Sequence, residues 1–233
     1  MYNYRFNILN NLFSALIQSA VNPETFEWLK EKANLANEEE AFNQFKISFS
    51  LVARKIPKTG IEINKEDEEM LTNEIPGLSI AEWSIQKLCR AWMIMQIATN
   101  DRSLYLSKVE ELFKDADMNE LATLYASLPL LAYPEHWEKQ CSEGIRSNIG
   151  NVLDAVIMDN PYPAHYLKED AWNQLVLKAL FTDKDLYRII GWKERVNENL
   201  VSSLKDYADE RKAANREINP KLWEIVELLE QNH

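Results

Sequence analysis

Apolar residues recur at helical spacing along nearly the whole chain. Between residues 4 and 20, Phe6, Leu9, Phe13, Leu16, Ile17 and Ala20 follow one another at intervals of 3, 4, 3, 1 and 3, one face of a helix. Asn22-Pro23-Glu24 stops that helix and opens the next: the amide can cap, proline suits the first helical position, and the carboxylate suits the positive dipole end. Helices are expected over about 23–36 and 38–54, and residues 55–64, with Pro57 and Gly60, read as a loop. Ser79 and Glu82 have capping-box spacing and predict a long helix to about Ala98 that carries Trp83, Leu88, Trp92 and Met95.

After Asn100-Asp101 a helix is expected over about 102–114. Asp117 and Glu120 repeat the capping logic ahead of a stripe of Met118, Leu121, Ala122, Tyr125 and Leu128, which Pro129 ends. Pro134-Glu135 starts another helix, expected to carry Glu143–Asn148 and to bend near Gly144 or Gly150. Asn160-Pro161-Tyr162-Pro163 breaks the pattern, since two prolines disfavour helix around them. Helices over about 168–181, 183–190 and 194–214, and a last one from Asn219-Pro220 to about Gln231, complete the series.

Roughly a dozen helices with short connections make an all-α fold. From about residue 100 the helix lengths suggest antiparallel pairs stacked as a HEAT-like α-α superhelix, with no period in the sequence itself. No composition shift marks a linker, so residues 1–233 are expected to form a single domain, with 1–64 packed on 65–233. Glycine strengthens this reading: five in 233 residues, far below the average of about 7%, leaves too few for phosphate-cradling loops or a sheet rich in tight turns.

The net charge of −11 argues against nonspecific binding to nucleic acid or anionic membrane, and no stretch of the chain is apolar for the 18 residues a membrane span needs. The first 20 residues lack the apolar core of a signal peptide. A soluble cytoplasmic protein is expected, with Cys89 and Cys141 as buried free thiols. Trp83, Trp92, Trp172 and Trp223 read as core; Trp28, Trp137 and Trp192 are candidates for an interaction patch.

Candidate chemistry lies where polar groups interrupt apolar helices, because such groups cost free energy unless paired or turned to a ligand. Glu143, Arg146, Asn148, Tyr162, Asn173 and Lys178 qualify, and Arg146, Asn148, Asn173 and Lys178 could line a pocket for an anionic or carbonyl-bearing ligand. The competing reading is helix–helix clamping by Asn148 and Asn173, with residues 160–163 as a rigid corner. Asp206, Glu210 and Arg211 form a second group. Asp206, Asp209 and Glu210 have a spacing that could hold magnesium for a diphosphate, although no second acidic cluster accompanies them; pairing of Asp206 and Glu210 with Arg146, Lys178 or Arg195 is the favoured reading. His136, His165 and His233 have no metal-ligand spacing, Cys141 is poorly placed for His136, and no cofactor is expected.

These blocks resemble the EboA family: Glu143-Gly144-x-Arg146-Ser147-Asn148-Ile149, Asn160-Pro161-Tyr162-Pro163, Trp172-Asn173-Gln174-x-Val176-Leu177-Lys178-Ala179-Leu180-Phe181 and Asp206-Tyr207-Ala208-x-Glu210-Arg211. Ala116–Leu121, Leu128–Glu135 and Pro220-x-Leu222-Trp223 fit the same pattern, in order from about residue 80 to 225, whereas the first 75 residues match loosely. The family's tryptophan after the Glu-Arg pair is here Lys212. The resemblance implies a bacterial protein encoded beside prenyltransferase-, sugar-phosphate-isomerase- and hydrolase-like proteins, in a system that makes or moves a secondary metabolite; it implies no catalytic residue set. The expectation is therefore a non-enzymatic helical protein that binds a small metabolite or other proteins of the same pathway. The alternatives are an enzyme on an isoprenoid-like intermediate, with magnesium at Asp206, Asp209 and Glu210, and a pure scaffold.

Overall fold

A computed structural model describes residues 1–38 and 40–231. Among them the only regular structure is helical: α1 (Phe6–Ala20), α2 (Pro23–Asn34), α3 (Phe42–Lys55), α4 (Lys65–Glu74), α5 (Ile85–Met95), α6 (Arg102–Asp115), α7 (Met118–Ala126), α8 (Glu138–Ile145), α9 (Gly150–Ile157), α10 (Tyr162–Tyr166), α11 (Glu169–Phe181), α12 (Glu198–Ala213) and α13 (Lys221–Gln231), with short 3-10 turns between some of them. The caps largely follow the chain's own signals. Asn22 Oδ1 accepts from Thr25 N at 2.8 Å with Pro23 in the first turn, and the Asp117–Glu120 capping box is fully formed.

Three boundaries differ from expectation. The helix expected to open at Ser79 opens at Ser84, whose side chain accepts from Lys87 N at 3.2 Å. Residues 79–85 are held off the helix by other partners: Ser79 N donates to Asp159 O, Ile61 N to Trp83 O, and Ile85 N to Thr59 O at 2.8 Å. The segment carrying Glu143–Asn148 is two helices, not one bent helix, because α8 closes in tight turns from Arg146 N to Glu143 O and Ser147 N to Gly144 O, and α9 restarts at Gly150. The expected helix over 183–190 is a single 3-10 turn, Leu186–Arg188, while α4 follows Asn64, which accepts from Asp67 N at 2.9 Å.

One hydrophobic cluster takes in buried residues from Leu9 to Val226. At its centre is α5, which packs against α1, α2, α3 and α7, and every residue from Leu88 to Met95 is buried. A helix apolar on all sides belongs inside a core. The most extensive helix–helix contact is between α7 and α9, and chain neighbours α8/α9, α11/α12 and α12/α13 also pack together, which is compatible with stacked hairpins. Gly144 makes the α7–α8–α9 contact close: a Cβ there would lie 2.5 Å from Tyr125 Cε1 and 2.7 Å from Val156 Cγ2. Trp83, Trp92, Trp137 and Trp172 are core, but Trp223 is 42% exposed, because its neighbours Leu222, Ile225 and Val226 define the buried face of α13.

Candidate cationic cleft

The residues singled out by the polar pattern are dispersed, and several already have protein partners. Asn173 and Asn197 bond one another through both amides, at 3.1 and 2.9 Å. Lys178 Nζ donates to Asn148 Oδ1 at 3.2 Å near the surface, and Glu143 and Arg146 are exposed. Asp206 and Glu210 lie on the exposed face of α12 and, among the described residues, form no ion pair with Arg146, Lys178 or Arg195. Arg195 instead stacks 4.7 Å from the Trp172 ring and donates to the carbonyls of Pro163, Ala164 and Leu167. Arg211 donates to Glu217 O at 2.8 Å, closing the end of α12. No group of three or more His, Cys, Asp or Glu side chains that could hold a metal is found among the described residues. His136 contacts Glu110 Oε1 at 2.7 Å, and His233 lies outside the described residues.

The Asn160–Pro163 corner is internal architecture. Asn160 Nδ2 donates to Tyr125 O and Ala155 O, and its Oδ1 accepts from Tyr162 N at 3.0 Å. The buried Tyr162 hydroxyl donates to Pro134 O at 2.5 Å. Of the nine candidate residues Tyr162 alone lines a main cavity, an apolar one of about 410 Å³ with Tyr4, Pro134 and Pro161.

A different set of residues converges. Two cavities, about 220 and 270 Å³, lie side by side at the start of α5, against α7 and α9, and share Glu82, Lys87 and Asn151. The first is walled by Leu78, Trp83, Ala155 and Met158, with Asp154, Asp159 and Arg188 at its edge. Its acidic groups and Arg188 are paired, while Lys87 is not: Lys184 pairs with Asp154 at 2.5 Å, and Arg188 pairs with Asp159 and reaches Glu82 at 3.1 Å. That pairing with Asp159 holds the Arg188 guanidinium firmly protonated.

The second cavity has Lys58, Lys87 and Arg90 in its wall, with Ser84, Gln86, Asn119 and Thr123. Lys58 arrives on the loop that crosses the start of α5, where Gly60 bridges to Ser84. Lys87 sits in the first turn of α5, 5.7 Å from the Trp83 ring. Burial pulls its ammonium below the ordinary lysine value; Asp154 opposes that shift and Lys58 adds to it. Arg90 is 2% exposed and lies over the Phe49 ring. Its Nε donates to Phe49 O at 3.0 Å, while Nη2 stands 3.7 Å from Glu120 Oε1, beyond hydrogen-bond reach. Burial lowers its pKa, against the pull of Glu120 and Asp117.

Sequence reasoning missed this site, although one signal was present. Arg90 interrupts Leu88-Cys89-Arg90-Ala91-Trp92-Met93-Ile94-Met95, a charge inside an otherwise apolar run, where only a paired or ligand-facing group is tolerated. Lys87 and Lys58 carried no such mark, because their meeting depends on a loop crossing.

Fold and cleft together define an all-helical protein with a polar, ligand-sized recess at its central helix. The chain belongs to the EboA family: the family model described as metabolite traffic protein EboA matches residues 9–227, so the relationship extends through the N-terminal helices as well. No curated protein and no solved structure matches the chain. No helix among the described residues is long and apolar enough to cross a membrane.

Proposed function

We propose that this protein serves secondary-metabolite traffic as a non-enzymatic binder that holds a small metabolite in the cleft between α5, α7 and α9. The family's description supplies the context of traffic. The observation that carries the reading is the pair of adjoining cavities with Lys87 in the wall of both. Combined, they approach the size of small-molecule sites, which run to roughly 300–1,000 Å³ and combine apolar walls with a few placed polar groups. Trp83 and Met158 supply apolar wall; Asn151, Ser84 and the lysines supply polar groups. The role belongs in the cytoplasm: Cys89 and Cys141 are unpaired and buried, the state that reducing compartments maintain.

Native mass spectrometry of the protein purified from its own host tests the reading. Asn151 is exposed and lines both cavities, so Asn151→Trp obstructs the cleft without disturbing the core. The wild-type protein is expected to carry a small bound mass that the variant lacks. A bare wild-type protein, or a mass retained by the variant, would overturn the proposal.

A further inference from the structure

We infer that the cleft recognises a phosphate group, seated among Lys58, Lys87 and Arg90 in the inner cavity. This deepens the metabolite-binding reading and rests on it. Three cations and one carboxylate, Glu82, line this cavity, and Glu120 stands 3.7 Å behind Arg90, so the local balance stays positive by one charge in a chain whose net charge is −11. Glu82 is itself engaged by Arg188 at 3.1 Å. Cations gathered in one cavity repel one another, and a doubly charged phosphate ester offsets that repulsion.

The donors are also unspent. Among the described residues, neither Lys58 Nζ nor Lys87 Nζ forms a hydrogen bond or ion pair, and of the Arg90 nitrogens Nε alone makes a hydrogen bond, while Nη2 is ion-paired with Glu120 at 3.7 Å. A guanidinium that is 2% exposed normally has its N–H groups satisfied. Arg90 Nη2 is buried with no hydrogen-bond partner, and Glu120 Oε1 faces it equally unpartnered. The backbone adds to the attraction. The cavity sits at the start of α5, where Ser84 and Gln86 line it and the helix presents its positive end. A phosphate placed there leaves the adjoining cavity, walled by Trp83, Leu78 and Met158 with Asp154, Asp159 and Arg188 at its edge, for the remainder of the ligand.

The test titrates full-length protein with inorganic phosphate, with pyrophosphate and with succinate at constant ionic strength, followed by tryptophan fluorescence and calorimetry. Saturable binding of phosphate or pyrophosphate is expected, weakened at least tenfold in Lys58→Ala and in Lys87→Met and unchanged in Lys205→Ala, a surface lysine paired with Glu230 at 3.3 Å. Lys58 is exposed, so its substitution leaves the fold intact whatever happens in Lys87→Met. Absence of saturable binding, equal affinity in Lys58→Ala, or a preference for succinate would overturn the phosphate assignment. A host-derived mass that lacks phosphorus yet is lost in Asn151→Trp would overturn it too, while leaving the metabolite-binding reading standing.

Discussion

Asn173 on α11 and Asn197 at the start of α12 face each other and exchange two amide hydrogen bonds, at 3.1 and 2.9 Å. Asn197 Oδ1 also accepts from Leu200 N at 2.9 Å, so one side chain both caps α12 and ties it to α11. An asparagine that breaks the apolar pattern of α11 thus serves helix joining. Asn173→Ala is expected to cost about 1–2 kcal/mol in urea unfolding, and Asn197→Ala more, since it also loses the cap. Equal losses would show that the cap contributes nothing.

Gly144 and Gly150 make opposite predictions. A methyl group at Gly144 meets the Tyr125 ring and Val156, whereas nothing lies within 4 Å of a Cβ at Gly150. Gly144→Ala is expected to destabilise by about 1–3 kcal/mol through overpacking. Gly150→Ala, in the first turn of α9, should be neutral or raise stability by roughly 0.4–1 kcal/mol. Thermal unfolding of the two variants side by side checks this, and matching melting temperatures would refute it.

Arg90 and Glu120 are buried at 2% and 4% exposure with their charges 3.7 Å apart. Removing either alone strands the other, so Arg90→Met and Glu120→Leu are each expected to cost about 3–5 kcal/mol, Glu120→Leu losing in addition its capping-box bond from Asp117 N. The double variant should recover much of that loss, since two apolar side chains leave no buried charge. Additive losses in a double-mutant cycle would mean that the two charges do not interact.

Lys87 has a folded-state pKa below its ordinary 10.5, chiefly through burial. In the window between the lowered value and 10.5 the unfolded chain holds a proton that the folded chain has released, so stability rises with pH there. Below that window the cost of burying the charge is fully present. Lys87→Met is therefore expected to melt higher than wild type at pH 7, to lose the alkaline rise, and to bind phosphate poorly. A lower melting temperature would show that Asp154, the nearest opposing influence on Lys87, outweighs the cost of burial.

Asp206 and Glu210 are exposed on α12. Asp206→Ala and Glu210→Ala should change stability by no more than about 0.5 kcal/mol, and magnesium should protect neither them nor the wild type. A magnesium-dependent rise in melting temperature that disappears in Asp206→Ala would instead support carboxylate–metal chemistry on this helix.

The helical class, most element positions and the true capping box at Asp117 were readable in the chain, because 3.6-residue periodicity and capping are local properties. Ser79–Glu82 has the same capping spacing, yet its segment is held by Asp159 O and by the loop at Thr59–Ile61, partners that local sequence cannot reveal. Polar residues within apolar helices were read as needing partners, yet Glu143, Arg146, Asp206 and Glu210 are exposed. Which partner each would find was a different matter: Asn173 found Asn197, Asn160 found backbone carbonyls, and Arg195 found Trp172 and three carbonyls. The cleft itself joins Lys58 from a loop, Lys87 and Arg90 from the central helix, and Asn151 from α9. Local periodicity sets which face of each helix is buried, whereas the approach of three separate segments depends on how those faces pack. The chain alone therefore determined an all-helical protein with its polar groups under constraint; tertiary packing decided which of them were consumed as structure and which were left with unspent donors facing a cavity.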